Sequence, residues 1–307
     1  MHSSMQFILG LDSREEKDGR PISTTTFNEL WKEGILGMGL RLLLEHVIWL
    51  LPKARYREVC SKLHSFVDFA IDKSEECTSA DSTRKSKTMA EIVGPQARDR
   101  SDARGQLLQT LLASQDTTAT LVCNAVQLLS QPPHHKWWTQ LRDEVTSHSS
   151  ELFTWDGLRS NTLIQNVLHE TLRFRPVFPS VGRYSATATV LPRGGGPDGS
   201  QPLPIPAGTF VIASLWCVHL NKDVYGPDAR EFNPERWNTI KPSSQHFFSF
   251  GVGPRACLGK EKALTEAAYV LATLVKRFER VEDCTRAWKP EASLVMKNTE
   301  GYKVKFS

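Results

Sequence analysis

The sequence predicts a mainly α-helical fold with a small β portion. Three observations lead there. Apolar residues recur at three- and four-residue spacing through 24–72, 102–130, 134–148, 157–173 and 258–280. The stretch 174–210 is rich in proline and glycine, which suits short strands joined by turns. The tail 301–306, GYKVKF, alternates as a strand does.

Taken in chain order, the first ten residues lack a basic stretch followed by an apolar core, so they do not read as a signal peptide. Phe27, Leu30, Trp31 and Ile35, then Phe66, Phe69 and Ala70, carry the helical spacing of 24–72. The longest apolar stretch, 35–51, holds Arg41, Glu45 and His46 within 17 positions. A spanning helix needs ~20 apolar residues with few charges. The segment therefore reads as an amphipathic or buried helix, with contact at a membrane surface as the competing reading. Residues 74–104 are polar, charged and nearly free of large apolar groups, and predict a flexible loop. The basic run Arg84-Lys85-Ser86-Lys87 fits a solvated loop.

The helix expected at 102–130 is roughly 40 Å long and stops at Pro132-Pro133. Asp116-Thr117-Thr118 interrupts its apolar pattern, as a solvent-facing strip or a functional kink. His134 and His135 read as a solvated helix start. His219 matches no ligand pattern and reads as packed or exposed near a strand end.

With 307 residues, the chain has room for one large domain or two ordinary ones. A net charge of +4 is too mild to argue for nucleic acid. No two of the six cysteines lie closer than 17 positions, Cys60 and Cys77, which excludes a CxxC pair. A reduced, intracellular-type setting follows.

Residues 247–259 read FFSFGVGPRACLG. Gly251-x-Gly253-x-x-Ala256 matches a dinucleotide fingerprint, but only 48 residues remain after Gly259 for the rest of such a fold. A second reading centres on Cys257 at the start of the last helix, where the helix end favours a thiolate. Gly251, Gly253 and Gly259 permit close approach of a flat ligand, and Arg255 has the charge to pair with its carboxylate. A thiolate so placed suits haem iron. An inert, buried cysteine is the bland alternative.

Phe250-x-x-Gly253-x-Arg255-x-Cys257-x-Gly259 resembles the haem-binding signature of the cytochrome P-450 family at every fixed position. Three further segments stand upstream in the family's order. Glu170-Thr171-Leu172-Arg173 resembles its E-x-x-R motif, and 232–237, FNPERW, its P-E-R-F/W segment. The resemblance implies that Glu170, Arg173 and Arg236 form a buried structural network supporting the haem loop. Ala113-Ser114-Gln115-Asp116-Thr117-Thr118 resembles the oxygen-activation motif A-G-x-D-T-T, with Ser114 in place of glycine. By that likeness Thr117 hydrogen-bonds the dioxygen and Asp116 relays protons. Arg183 matches an arginine that reaches a haem propionate. The segment 191–209 looks most like the fungal branch that hydroxylates alkanes and fatty acids.

The resemblance implies a partial cytochrome P-450 fold, its C-terminal three-fifths. Residues 1–75 correspond to substrate-covering helices, 76–104 to a flexible loop and 105–307 to the haem-binding core. It implies a haem-thiolate monooxygenase with Cys257 as axial ligand, haem as cofactor, and Phe250, Gly253, Arg255, Gly259 and Arg183 around it. Electrons come from NADPH through a separate reductase. O2 and a small apolar substrate, a fatty acid, alkane or secondary metabolite, complete the set. The location implied is the endoplasmic reticulum membrane surface, or the cytoplasm for a chain with no anchor of its own. Two other readings stand beside it: a truncated, inactive paralogue or gene-model fragment, and a haem-binding protein that is not an enzyme.

Overall fold

The computed structural model describes residues 2–12, 19–80, 87–147, 151–285, 287–292 and 295–307. These form two compact units, Met1–Gln115 and Asp116–Ser307. The division falls inside one helix rather than in the polar stretch after residue 75.

In the first unit, helices α1 (His2–Leu9), α2 (Thr24–Leu43), α3 (Ala54–Ala80) and α4 (Met89–Val93) precede α5 (Arg100–Leu129), whose first half belongs here. Ser23 caps α2 by accepting from the Thr26 amide at 3.1 Å. The core joins Met5, Ile8, Phe27, Trp31, Phe66, Val67, Leu107 and Leu111. Phe27 lies between the rings of Trp31 and Phe66, with centroids 5.7 and 4.4 Å away.

Two expectations fail in this unit. Part of 74–104 is helical: α3 continues to Ala80, and α4 forms despite its polar surroundings. A capping box explains α4, with the Glu91 amide donating to Thr88 Oγ1 and the Thr88 amide donating to Glu91 Oε2. The basic run at 84–87 lies, but for Lys87, outside the described residues. The second correction concerns 35–51. Only the N-terminal half of α2 is buried; Leu43 is 83% exposed and Trp49 70%. A 3-10 turn, Glu45–Leu50, follows α2 and buries none of its side chains. Arg41 turns inward, donating to the Gly37 and Pro52 carbonyls and lying 3.7 Å from the Tyr56 ring centre. The apolar side chains are thus left open and the one arginine is used up internally.

The second unit holds the rest of α5, then α6 (His135–Ser147), α7 (Trp155–Ser160), α8 (Thr162–Phe174), α9 (Leu215–His219), α10 (Lys222–Tyr225) and α11 (Lys260–Arg277). α11 packs against α6, α7 and α8. Its buried stripe, Leu264, Ala267, Ala268, Leu271 and Val275, meets Leu128, Trp137, Leu141, Ile164 and Leu168. Among the described residues, four antiparallel two-stranded ribbons accompany this core: β1 (Ser180–Tyr184) with β4 (Phe210–Ser214), β2 (Thr189–Gly195) with β3 (Gln201–Ile205), β5 (Val281–Asp283) with β8 (Val304–Phe306), and β6 (Pro290–Ala292) with β7 (Met296–Asn298).

The double proline ends α5 as expected, but the histidines after it are not simply solvated. His134 Nδ1 and His135 Nε2 bond the Leu128 and Ser130 carbonyls, each at 2.8 Å. They satisfy acceptors that a helix end leaves orphaned.

Replacing Leu168, fully buried in the second unit's core, by alanine is expected to cost about 2–5 kcal/mol. The shift of the unfolding midpoint in urea measures it.

Candidate functional site

α8 begins with Asn161, whose side chain accepts from the Ile164 amide at 2.9 Å. Three- and four-residue spacing then turns Ile164, Val167, Leu168 and Leu172 inward. Glu170 and Arg173, three residues apart, share the other side of the helix, and their side chains are fully buried as well. Their pairing is bidentate: Arg173 Nε and Nη2 donate to the two Glu170 oxygens, each at 2.7 Å.

No donor of Arg173 is wasted. Nη1 reaches the carbonyls of His219 at 2.9 Å and Ala229 at 2.6 Å, and Nη2 that of Glu231 at 2.8 Å. Glu170 accepts further from the Asn233 amide at 2.8 Å and from Trp237 Nε1 at 3.0 Å. Arg236 Nε faces Glu170 at 3.5 Å, and its fork grips Asp228, with Nη1 and Nη2 each 2.9 Å from a carboxylate oxygen. It also donates to the Tyr225 and Asp228 carbonyls. Hydrogen bonds from Arg236 hold the Asp228 carboxyl below its ordinary range.

These are the three residues that the motifs singled out, and the structure brings them together. Asn233 and Trp237 lie in a segment already quoted for Arg236. Asp228, Tyr225 and His219 carried no signal of their own, since each reaches the cluster only through the folded loop.

His219 is fully buried at the end of α9. Burial pushes its imidazole down to about 4; the Leu172 carbonyl opposes this and the Arg173 charge adds to it. Its Nε2 accepts the Phe248 amide at 3.3 Å, which ties the network to the glycine loop. Tyr225 Oη donates to the His246 carbonyl at 2.9 Å and anchors the same loop earlier.

The loop from Phe248 to Gly259 closes on itself. The Gly251 amide donates to the Phe248 carbonyl and the Cys257 amide to the Phe250 carbonyl, both at 2.8 Å. Gly251 and Gly253 both sit at φ +70°, a conformation that L side chains rarely adopt. A Cβ at Gly259 would lie 4.0 Å from Cys257 Sγ. α11 starts only at Lys260, so Cys257 precedes it by three residues.

Cys257 is exposed, which removes the reading of an inert buried thiol. Around it Val252 and Leu258 are open, Leu258 completely. Phe250 is half-buried against the second unit's core. Arg255 is exposed and carries no salt bridge among the described residues. Arg183, exposed on β1, donates to the Gly182 carbonyl at 2.7 Å and likewise pairs with no carboxylate among the described residues. An accessible thiol, open apolar side chains and two unpaired guanidiniums suit a flat apolar group with anionic arms.

Asp116 and Thr117 lie on α5, whose helix runs unbroken through them. Asp116 is about half exposed, with Lys297 Nζ 3.8 Å from its Oδ2. Thr117 is half-buried. Ser114 Oγ donates back to the Leu111 carbonyl at 3.2 Å. The polar triplet is thus a strip on a continuous helix.

Comparison with known proteins gives a consistent picture. A family model described as cytochrome P450 matches residues 38–306. The chain is 35% identical to the cytochrome P450 monooxygenase alt2 of Alternaria solani, over 94% of this chain and 57% of that protein. It is 34% identical to cytochrome P450 52A9 of Candida maltosa, over 89% of this chain and 54% of that protein. With the cytochrome P450 monooxygenase FPY7 of Fusarium mangiferae the identity is 38%, over 66% and 39% respectively. The chain spans about half the length of the curated relatives it matches.

Replacing Glu170 by glutamine leaves the buried Arg173 without its charge partner and is expected to cost about 3–5 kcal/mol, read from urea unfolding. The buried His219 gives a pH signature. Its folded pKa of about 4 lies below the ordinary 6.5, so the unfolded chain binds more protons between them. Stability is therefore full above pH ~6.5 and is lost as the pH falls through about 4. His169 and His134 are lowered by burial too and add in the same direction. Urea midpoints across this range check it.

Proposed function

The chain belongs to the cytochrome P450 family, and from that premise we propose that it forms the haem-binding part of a monooxygenase acting on an apolar organic substrate. The observation that carries the proposal is the exposed Cys257 thiol on its glycine-shaped loop, pinned to a buried ion network. Haem is the family's cofactor, and the residues present fit it. Cys257 would supply the protein's sulfur ligand to its iron. The open apolar side chains of Val252 and Leu258 suit a ring face, and the unpaired Arg183 and Arg255 suit its carboxylates.

Bound there, haem supplies the redox chemistry by which one atom of O2 enters the substrate and the other leaves as water, with electrons from NADPH through a reductase. The protein's part is positional and electrostatic. Cys257 would hold the iron through its sulfur. Gly251 and Gly253 let the backbone turn tightly enough to present the sulfur. Glu170, Arg173 and Arg236 position the loop and touch neither substrate nor cofactor. Thr117 offers a hydroxyl from the middle of a rigid helix. Asp116, open to solvent beside Lys297, takes up protons and hands them inward through its neighbour Thr117.

The substrate class we assign is a long-chain fatty acid or alkane, supported by the likeness of 191–209 to the fungal hydroxylase branch. The open apolar surface on Leu36, Leu40, Leu43, Trp49 and Leu50 supports a peripheral membrane contact. No described helix is long and apolar enough to cross a membrane.

Three outcomes test these statements. The parent chain, reduced under carbon monoxide, is expected to show the haem-thiolate absorbance band, and Cys257→Ala to lose it. Asp116→Asn is expected to lower turnover by about 100-fold or more at unchanged haem content. Leu43→Glu with Trp49→Glu is expected to abolish co-flotation with phospholipid vesicles and leave haem binding intact.

A further inference from the structure

His219 is a fully buried residue that joins the ion network to the glycine loop and has no part in the proposed chemistry. Its main-chain carbonyl takes a hydrogen bond from Arg173 at 2.9 Å, and its ring takes one from the Phe248 amide at 3.3 Å. The ring is fixed by its neighbours. Phe247 lies 5.2 Å away at 35°, and Phe248 5.6 Å away, edge on. Phe247 is itself held by Trp237, which donates to Glu170. The residue's carbonyl and the aromatic ring packed on its imidazole thus lead back to the Glu170–Arg173 pair. On the other side, the Phe248 carbonyl accepts from Gly251, and Phe250, two residues on, accepts from Cys257.

We propose that His219 is a positioning residue for the Cys257 loop, acting as a neutral ring whose Nε2 fixes the Phe248 amide and so sets where the glycine turn begins.

Accepting at Nε2 places the ring proton on Nδ1. That nitrogen is buried and, among the described residues, has no hydrogen-bond partner of good geometry, although the Leu172 carbonyl acts on the ring. The fold tolerates this cost on one nitrogen to keep an acceptor on the other. A protonated ring has no acceptor and would set N–H against N–H at Phe248. The surroundings guard against that state. α9 packs against α8, which carries Arg173 and Glu170, and against β1, which carries Arg183. Glu170 is already paired to Arg173, so the charge turned toward His219 is positive. The loop has other ties, Tyr225 to the His246 carbonyl and Ser249 to the Leu172 carbonyl. Those ties hold neighbouring residues; among the described residues, His219 is the partner of the Phe248 amide, and the Phe248 carbonyl begins the turn.

This inference rests on Cys257 being the haem ligand, and the test separates the two. His219→Phe keeps an aromatic ring and removes the acceptor; His219→Gln restores an acceptor oxygen. In the full chain, hydrogen exchange at the Phe248 amide is expected to be about tenfold faster in the phenylalanine variant and near the parent rate in the glutamine variant. In the haem-loaded protein, the haem-thiolate carbon monoxide band is expected to fall in the first and return in the second. Parent-like exchange and an intact band in His219→Phe would overturn the proposal, as would equal loss in both variants. If His219→Phe does not fold, His219→Gln decides alone: a parent-like amide and band uphold the role, and their loss refutes it. A parent that shows no thiolate band refutes the haem assignment, and the exchange measurement, which needs no haem, then judges His219 by itself.

Discussion

The second unit depends on one buried ion pair, Glu170 with Arg173. Taking a carboxylate and a guanidinium out of water costs several kcal/mol per ion, and their attraction repays it only when every remaining donor and acceptor is used. Here all of them are used. Three carbonyls, one amide and an indole complete the pair, and they come from residues 219, 229, 231, 233 and 237. The pair therefore dictates the path of a long segment with little regular structure. The stretch between α10 and α11 holds only short turns, yet its backbone is drawn to two charged side chains on α8.

That path delivers the glycine loop. The loop has little apolar burial of its own, and residues 252–260 are exposed. It keeps its shape by internal amide bonds from Gly251, Ala256 and Cys257, by two left-handed glycines and by its attachment to the network. An exposed thiol held on a rigid turn is the arrangement that ligation demands, since a buried sulfur is inaccessible and a mobile one is not aimed. The rigidity lies behind the loop and the open face lies on it.

Much of this was legible in the residues. The helices at Arg100–Leu129, His135–Ser147 and Lys260–Arg277 follow from apolar spacing and from Pro132-Pro133. The site motifs were legible because function demands particular atoms there: a sulfur, two guanidiniums, glycines that turn left. Other features were not legible. α4 depends on a reciprocal cap between Thr88 and Glu91 within a polar stretch whose composition reads as loop. Residues 35–51 have a composition that suits burial, yet most of their side chains lie open, because a pattern of apolar residues does not say whether a partner surface exists. His219 looked unremarkable beside Val218 and Leu220, and only the folded chain sets it between Arg173 and Phe248.

By itself, the sequence determined the class of the fold, the order of its helices, the family and the residues able to carry the chemistry. These rest on local periodicity and on residue types at short spacing, which neighbours along the chain are enough to specify. The tertiary structure decided which polar groups are buried together, which thiol is open, and which histidine stays neutral. Burial and hydrogen-bond partnership are set by segments far apart along the chain, as Glu170 and Trp237 are at 67 positions, and desolvation acts on a group only once the distant chain has closed around it.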